Sequence, residues 1–408
     1  MFVFCPLFSQ RAAFDKRQGE LDKYVRGTKY ETQKLHLRQD FEVFLAERSS
    51  CPPPLTTAST LLDATSTDVV RFLSHRDLGG RTQVHAFDCP HFGARGVFGC
   101  ECPKHFAAKT VDSYVGQLRA VFNSIGRRHF FNPCDSVEVK GWVRACAKEQ
   151  QRHRVPVKQA TPIFSTHLRD LVAAITLRLA ELPASAPFLP DRFTLLRDWA
   201  FFLTQWFCGD RAGDLGRALA KEVVRLEDGS LLYNHTVGKT IRSADGHLLV
   251  VPRVVDEPSL CPVAAFDRYI AACQEAGLDL RLGYLFPPTS LPSHNSIRNV
   301  PLTSAAANNR LKVYLPGLGL TAHGSRGGCA ITLSMLGASP EAVKEHCRWA
   351  TDEVLRHYTR IERVRKLDAS AHVLQKAVAV CDGVSEADSA AYLYELLNSG
   401  LNQEPAFM

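Results

Sequence analysis

Read for hydrophobic period alone, the chain opens without a pattern and acquires a helical one near residue 30. Over 30–48, Leu35, Leu37, Phe41, Phe44 and Leu45 recur at helical spacings, which predicts an amphipathic helix. The run Cys51-Pro52-Pro53-Pro54 must end it, because proline lacks the N–H and clashes with the preceding turn. Ser66 or Thr67 is placed to cap a second helix carrying Val69, Val70, Phe72 and Leu73. The clearest pattern follows, with Val111, Tyr114, Val115, Leu118, Val121, Phe122 and Ile125 on one face. A further helix is expected over 137–150, ending in the basic run QRHRVPVKQ. A second periodic region starts at Phe164, with Leu168, Leu171, Val172, Ile175 and Leu179 on one helix and the apolar run 201–207 on another. Within LLYNHTVGKTIRSADGHLLVVPRV two β-rich runs are joined through Asp245-Gly246, a hairpin signal. Helices over 262–276 and 303–314 flank GYLFPP, a short strand or turn. Then come an apolar helical run through Ala330, Leu333 and Leu336, a Gly-Ala-Ser-Pro break, and helices through 380 and over 386–397.

The expected domain plan is a loose extension over 1–28, a helical unit over 29–150, a basic linker over 151–162, a second unit over 163–367 and a helical tail over 368–408. At 408 residues and 45% hydrophobic content the chain can bury two cores. The net charge of +7 and 22% charged residues permit nucleic-acid binding without predicting it. Thirteen cysteines form no regular disulfide framework, so reduced thiols are expected, some of them on metal. MFVFCPLF lacks a preceding positive region and meets polar residues too soon for a signal peptide, and no run of about 18 apolar residues suggests a membrane span.

The stretch TAHGSRGGCAITLSMLGASPEAVKEHCRWATDEVLRHYTR, over 321–360, concentrates the chemistry. It holds an HxxR unit, His323 and Arg326, then Trp349, and nine residues later Tyr358. Phosphoryl transfer to a tyrosine needs such a set. The phosphodiester's charge grows in the transition state and calls for fixed cationic donors, and guanidinium can hold two phosphate oxygens at once. Tyrosine serves as nucleophile when other groups move the protons. A second arginine, Arg211, follows the expected turn Cys208-Gly209-Asp210, with Asp214 three residues on to brace it. Gly324 and Ser325 leave room for the backbone to approach a phosphate. Lys239 sits in the hairpin, Lys221 and Arg242 compete with it, and His346 competes with Trp349.

A second constellation interrupts the first unit. In VHAFDCPHFGARGVFGCECPKH, His85, Cys89, Cys100 and Cys102 make an HxxxC plus CxC set, with His91 and His105 as spare candidates. A structural zinc there would supply folding energy that so short a loop cannot obtain from burial. Cys261, Cys273, Cys329, Cys347 and Cys381 have no ligand-like spacing and read as packing residues.

In order, Arg211, Lys239, His323, Arg326, Trp349 and Tyr358 resemble the catalytic set of the tyrosine recombinases, the phage integrases and Cre-like enzymes. The forms SRGGCAI and RWATDEVLRHY resemble the DIRS-like and Crypton recombinases of eukaryotic mobile elements. The region around the cysteines, through Asn132-Pro133, resembles the ALOG domain, whose proposed origin is the DNA-binding domain of DIRS-like recombinases with a zinc-ribbon insert. The resemblance implies a mainly α, two-domain fold with a small antiparallel sheet, closing on double-stranded DNA as a clamp. Arg152, Arg154 and Lys158 in the linker would contact phosphate. It implies cleavage through a 3′-phosphotyrosyl link without catalytic metal or nucleotide, with Arg211 and Arg326 on the phosphate and Trp349 as donor. Lys239 would serve the leaving 5′ oxygen and His323 the tyrosine. A homotetramer on two DNA sites and a nuclear location follow. Two alternatives stand beside it: a domesticated DNA-binding protein that does not cut, and a type IB topoisomerase-like enzyme.

Overall fold

The computed structural model describes residues 17, 28–49, 58–94, 98–127, 132–156, 160–183, 190–238, 241, 246–290, 296–352 and 355. The chain divides into two compact units, residues 1–158 and 159–408. It is mainly helical, with small antiparallel sheets in both units.

In the first unit, α1 (Thr28–Ser49), α2 (Ser66–Asp77), α3 (Ala108–Ser124) and α4 (Val137–Arg152) enclose one core. Leu37, Phe41, Phe44 and Leu45 of α1 are buried at the predicted spacing, whereas Leu35 faces solvent. The ring of Phe41 lies 4.6 Å from that of Phe72 and 6.1 Å from that of Phe122, so three helices meet at one aromatic cluster. The cap of α2 is Thr65, not Ser66 or Thr67. Its hydroxyl accepts from the N–H of Asp68, whose carboxylate accepts back from the Thr65 N–H at 2.9 Å, a reciprocal capping box. Asn132 caps the short 3₁₀ turn Pro133–Asp135 that leads into α4.

Between α2 and α3, β1 (Thr82–Gln83) pairs antiparallel with β2 (Lys104–His105), Thr82 opposite His105 and Gln83 opposite Lys104. This ribbon closes the cysteine-bearing loop at its base.

The second unit is built on α5 (Ser165–Glu181) and α6 (Pro190–Phe207), whose buried face includes Phe193, Phe201, Phe202 and Leu203. A one-turn helix, α7 (Ala212–Leu215), follows, then a sheet of β3 (Val223–Arg225), β4 (Leu231–His235) and β5 (His247–Val251) in the order β3-β4-β5. The predicted hairpin is present, with His235 opposite His247. β4 ends at His235 and β5 begins at His247; Asp245 of the expected turn lies outside the described residues. The third strand, β3, was too short to leave a period in the sequence. Further helices are α8 (Pro262–Glu275), α9 (Ser304–Tyr314), α10 (His323–Met335) and α11 (Pro340–His346). The Gly-Ala-Ser-Pro break resolves into punctuation: Gly337 at φ +90° follows α10, and Ser339 caps α11 through the N–H of Ala342.

Two features fix the helices that carry the candidate residues. Asp198 of α6, wholly buried, accepts from Arg197, from Arg310 at 2.6 Å and from Tyr314 at 2.6 Å, pinning α9 to α6. Gly324 and Gly328 lie where a Cβ would come within 2.2 Å of Thr161 O and 1.7 Å of Ile163 O, and the N–H of Ile163 donates to Gly324 O at 3.0 Å. Gly324 and Gly328 thus make room for the chain's own backbone, which replaces the expected role of Gly324 in phosphate approach.

Candidate functional site

Arg211 stands where α6 ends. Gly209 takes φ +55°, a left-handed turn that suits glycine, and Arg211 becomes the N-cap of α7 with its own N–H on Asp210 Oδ1 at 2.7 Å. Its Nη1 lies 3.4 Å from Asp214 Oδ2, while the other Asp214 oxygen takes Arg217 at 2.6 Å.

Arg326 approaches the same turn from α10. Its side chain is buried, Nη1 donates to Gly209 O at 2.8 Å, Nη2 donates to Cys347 O, and the guanidinium lies 5.4 Å over the ring of Trp349. The fold therefore ties Arg326, Trp349 and the Arg211 turn together, although they are far apart in sequence. Burial and the nearby charge of Arg211 lower the Arg326 pKa to about 10, which leaves it cationic at neutral pH. His323 occupies the first position of α10. Desolvation of its ring, then the charges of Arg326 and Arg211, push its pKa below the ordinary histidine value and favour neutral imidazole. His346, the competitor for Trp349, donates its Nε2–H to Phe207 O at 2.9 Å and so joins α11 to the end of α6, while Trp349 is the residue beneath Arg326. Lys239 and Tyr358 lie outside the described residues, as does Arg242; Lys221 sits in the 3₁₀ turn Ala220–Glu222.

A network behind Arg211 was not anticipated. Asp210, wholly buried, takes Arg348 on Oδ1 at 2.8 Å, and its Oδ2 lies 2.9 Å from Nδ1 of buried His235. Asp210, Asp214 and His235 bring possible ligand atoms within 4.8 Å of one another. Both carboxylates already face arginines, so this is an ion-pair network rather than a vacant metal cradle. The adjacent acid and base in Gly209-Asp210-Arg211 were a signal, but nothing in the sequence paired Asp210 with Arg348. Cys329 and Cys347 are buried here, and Cys261 does more than pack, accepting from the N–H of Ala264 at the start of α8.

In the first unit, His85, Cys89, Cys100 and Cys102 converge, all ligand atoms within 4.8 Å. Nδ1 of His85 faces the thiols, 3.6 Å from Cys89 Sγ and 3.3 Å from Cys100 Sγ. Gln83 braces the loop by donating to Cys100 O at 3.0 Å and accepting from the Phe98 N–H at 2.9 Å, and His153 of the α4 end contacts His85 O at 2.7 Å. The spare candidates are otherwise engaged: His91 stacks on Phe98 at 4.1 Å, and His105 pairs with Asp77 at 2.6 Å. One imidazole and three thiols at this spacing can hold a metal of zinc's preference. Arg152 closes α4, and Arg154, at φ +50°, places its guanidinium 5.8 Å over the ring of Phe92; Lys158 lies outside the described residues.

Residues 17–148 match the ALOG domain. Protein LIGHT-DEPENDENT SHORT HYPOCOTYLS 6 of Arabidopsis thaliana is 32% identical over 128 residues, which are 31% of this chain and 62% of that protein. Protein G1-like9 of Oryza sativa subsp. indica is 33% identical over 128 residues, 31% of this chain and 43% of that protein. The chain thus spans about half the length of the curated relatives it matches. Among solved structures, XerH site-specific recombinase bound to palindromic difH substrate is similar at a TM-score of 0.48 and 14% identity, covering 77% of this chain and 74% of that one. A lambda integrase dimer bound to a COC′ core site is similar at a TM-score of 0.44 and 16% identity, covering 86% and 94%. By these comparisons residues 17–148 are ALOG-like in sequence.

Proposed function

We propose that the protein cleaves and rejoins DNA through a tyrosyl intermediate, as a site-specific recombinase that integrates or excises a mobile element. The observation that carries this reading is the bond from Arg326 to Gly209 O, which holds one guanidinium against the turn presenting the other, Arg211. Two arginines gathered beside a neutral histidine and an indole form a site for a phosphate whose charge increases during reaction.

In this mechanism Arg211 and Arg326 hold the non-bridging oxygens, Trp349 donates through its indole N–H, and Tyr358 attacks phosphorus to form a 3′-phosphotyrosyl link. The 5′ oxygen leaves and takes its proton from Lys239, while His323 accepts or returns the tyrosine proton. The phosphodiester bond energy is kept in the covalent link, so the reaction needs no nucleotide cofactor or catalytic metal. Attack by a partner strand's 5′-hydroxyl reverses the step, and exchange of four strands calls for a homotetramer on two DNA sites. The ALOG match supports a DNA-binding role for the first unit, with Arg152, Arg154 and Lys158 contributing to phosphate contact. His85, Cys89, Cys100 and Cys102 would hold a zinc whose role is to cross-link the loop. A nuclear location accords with the eukaryotic mobile-element resemblance.

The test is a denaturing gel of the full chain with nicked duplexes taken from the DNA that flanks its coding sequence. A covalent adduct is expected with wild type and absent with Tyr358→Phe. Salt-sensitive binding without any adduct would favour the non-cutting DNA-binding protein, and relaxation of supercoiled DNA by a monomer without strand exchange would favour the topoisomerase-like enzyme.

A further inference from the structure

The mechanism above uses neither Asp210 nor Arg348, yet these two are among the most buried charges of the second unit, with side chains 0% and 6% exposed. Their carboxylate is shared by three segments. Oδ1 takes the Arg211 N–H and Nη2 of Arg348, and Oδ2 faces His235 at the end of β4, three residues before Gly238 and four before Lys239. Burial alone would raise the Asp210 pKa, and His235, Arg348 and the Arg211 N–H outweigh it, leaving the carboxylate ionised. Arg348 holds φ +53°, a conformation that an L side chain adopts at a cost and that persists where surrounding contacts enforce it.

The geometry explains what is being enforced. Arg326 links Gly209 O to Cys347 O, and the Asp210–Arg348 pair links the very next residues of the same two segments. One of these ties consists of the guanidinium that must also serve the phosphate; the other has no part in the mechanism above.

We propose that Asp210 and Arg348 are positioning residues, a buried ionic clamp that holds the turns bearing Arg211 and Trp349 in register while Arg326 engages the phosphate. The clamp rests on the tyrosyl-transfer reading for its purpose, but its existence can be measured without DNA.

Two variants keep the test clear of misfolding: Arg348→Gly, which suits the positive φ and removes the pair, and Arg348→Lys, which keeps a cation. In hydrogen–deuterium exchange of the DNA-free full chain, peptides covering 208–211 and 347–350 should exchange faster in Arg348→Gly than in wild type, with recovery in Arg348→Lys. Unchanged exchange in Arg348→Gly overturns the clamp. On the nicked duplexes, Arg348→Gly should form adduct about 10- to 100-fold more slowly with DNA affinity retained, since displacements of about 1 Å can cost such factors. In an Asp210→Asn background Arg348→Gly should slow adduct formation by a smaller factor than it does in wild type, because the pair is already broken; equal factors in the two backgrounds overturn the clamp. If wild type forms no adduct, the tyrosyl-transfer reading fails by itself, and the exchange result alone decides the clamp.

Discussion

At Arg326, one side chain joins structure to chemistry. Two of the five N–H donors of a guanidinium are committed to backbone carbonyls and its face rests on Trp349, so its position is set before any phosphate arrives. Arg326→Lys keeps the charge but not the fork, and the adduct-forming rate should drop about 10²- to 10³-fold, the scale on which a preorganised transition-state donor acts. Retained full activity in Arg326→Lys would contradict its role on the phosphate. His323 and His346 both titrate below 6.5, their value when unperturbed, because burial disfavours the imidazolium. The unfolded chain therefore binds more protons than the folded one as pH falls through 6.5. The stability these groups contribute is present above that pH and is lost below it. Urea unfolding should show lower stability at about pH 5.5 than at about pH 7.5, and His346→Gln should narrow the difference; an undiminished gap would show that His346 is not among its causes.

At the scale of elements, each core has a member whose loss should be felt. Phe72 of α2 is almost wholly buried against Phe41 and Phe44, and Phe72→Ala should cost about 3–5 kcal/mol through lost burial and a residual cavity. A cost near zero in denaturant unfolding would mean that α2 does not pack as described. The loop between β1 and β2 has too little apolar burial to hold four ligand groups together, so its order should depend on the metal. Cys100→Ser should lower zinc content and loosen this loop together, read by elemental analysis and by hydrogen exchange over 83–105. Unchanged zinc stoichiometry would remove Cys100 from the ligand set. The glycines of α10 make a different demand: Gly328→Ala would drive a methyl into Ile163 O, a backbone atom that cannot swing aside.

For the whole molecule, the proposed division of labour is between binding and cutting. Binding through Arg152 and Arg154 would be electrostatic, so affinity should fall linearly with salt on logarithmic axes. Replacing either arginine by alanine should weaken binding and reduce the slope by about 1 without removing cleavage at saturating protein. A slope unaltered by both changes would place the phosphate contacts elsewhere. Helical content, two packed cores and the ALOG likeness of residues 17–148 are properties of separate units. Their common substrate in this reading is DNA.

Amino-acid order alone placed most helices, because a buried stripe must recur at the helical period wherever a helix lies on a core, as it does along α3. It also picked out His85, Cys89, Cys100 and Cys102, since ligand spacing within a short loop is itself local geometry. The sheet was less legible. The hairpin runs alternate, with Leu248 and Val250 exposed and Leu249 and Val251 buried, but β3 is too short to show a period. Tertiary structure decided which residues surround Arg211. The Asp210–Arg348 pair spans 138 residues and the Asp198–Tyr314 bond 116, and no periodicity can register partners chosen by packing. It also gave the glycines of α10 their reason, close passage of the backbone at 161–163, which a list of small residues could equally have assigned to a ligand. Local pattern fixes what a residue can do; the burial that strips away water decides which neighbour it must do it with.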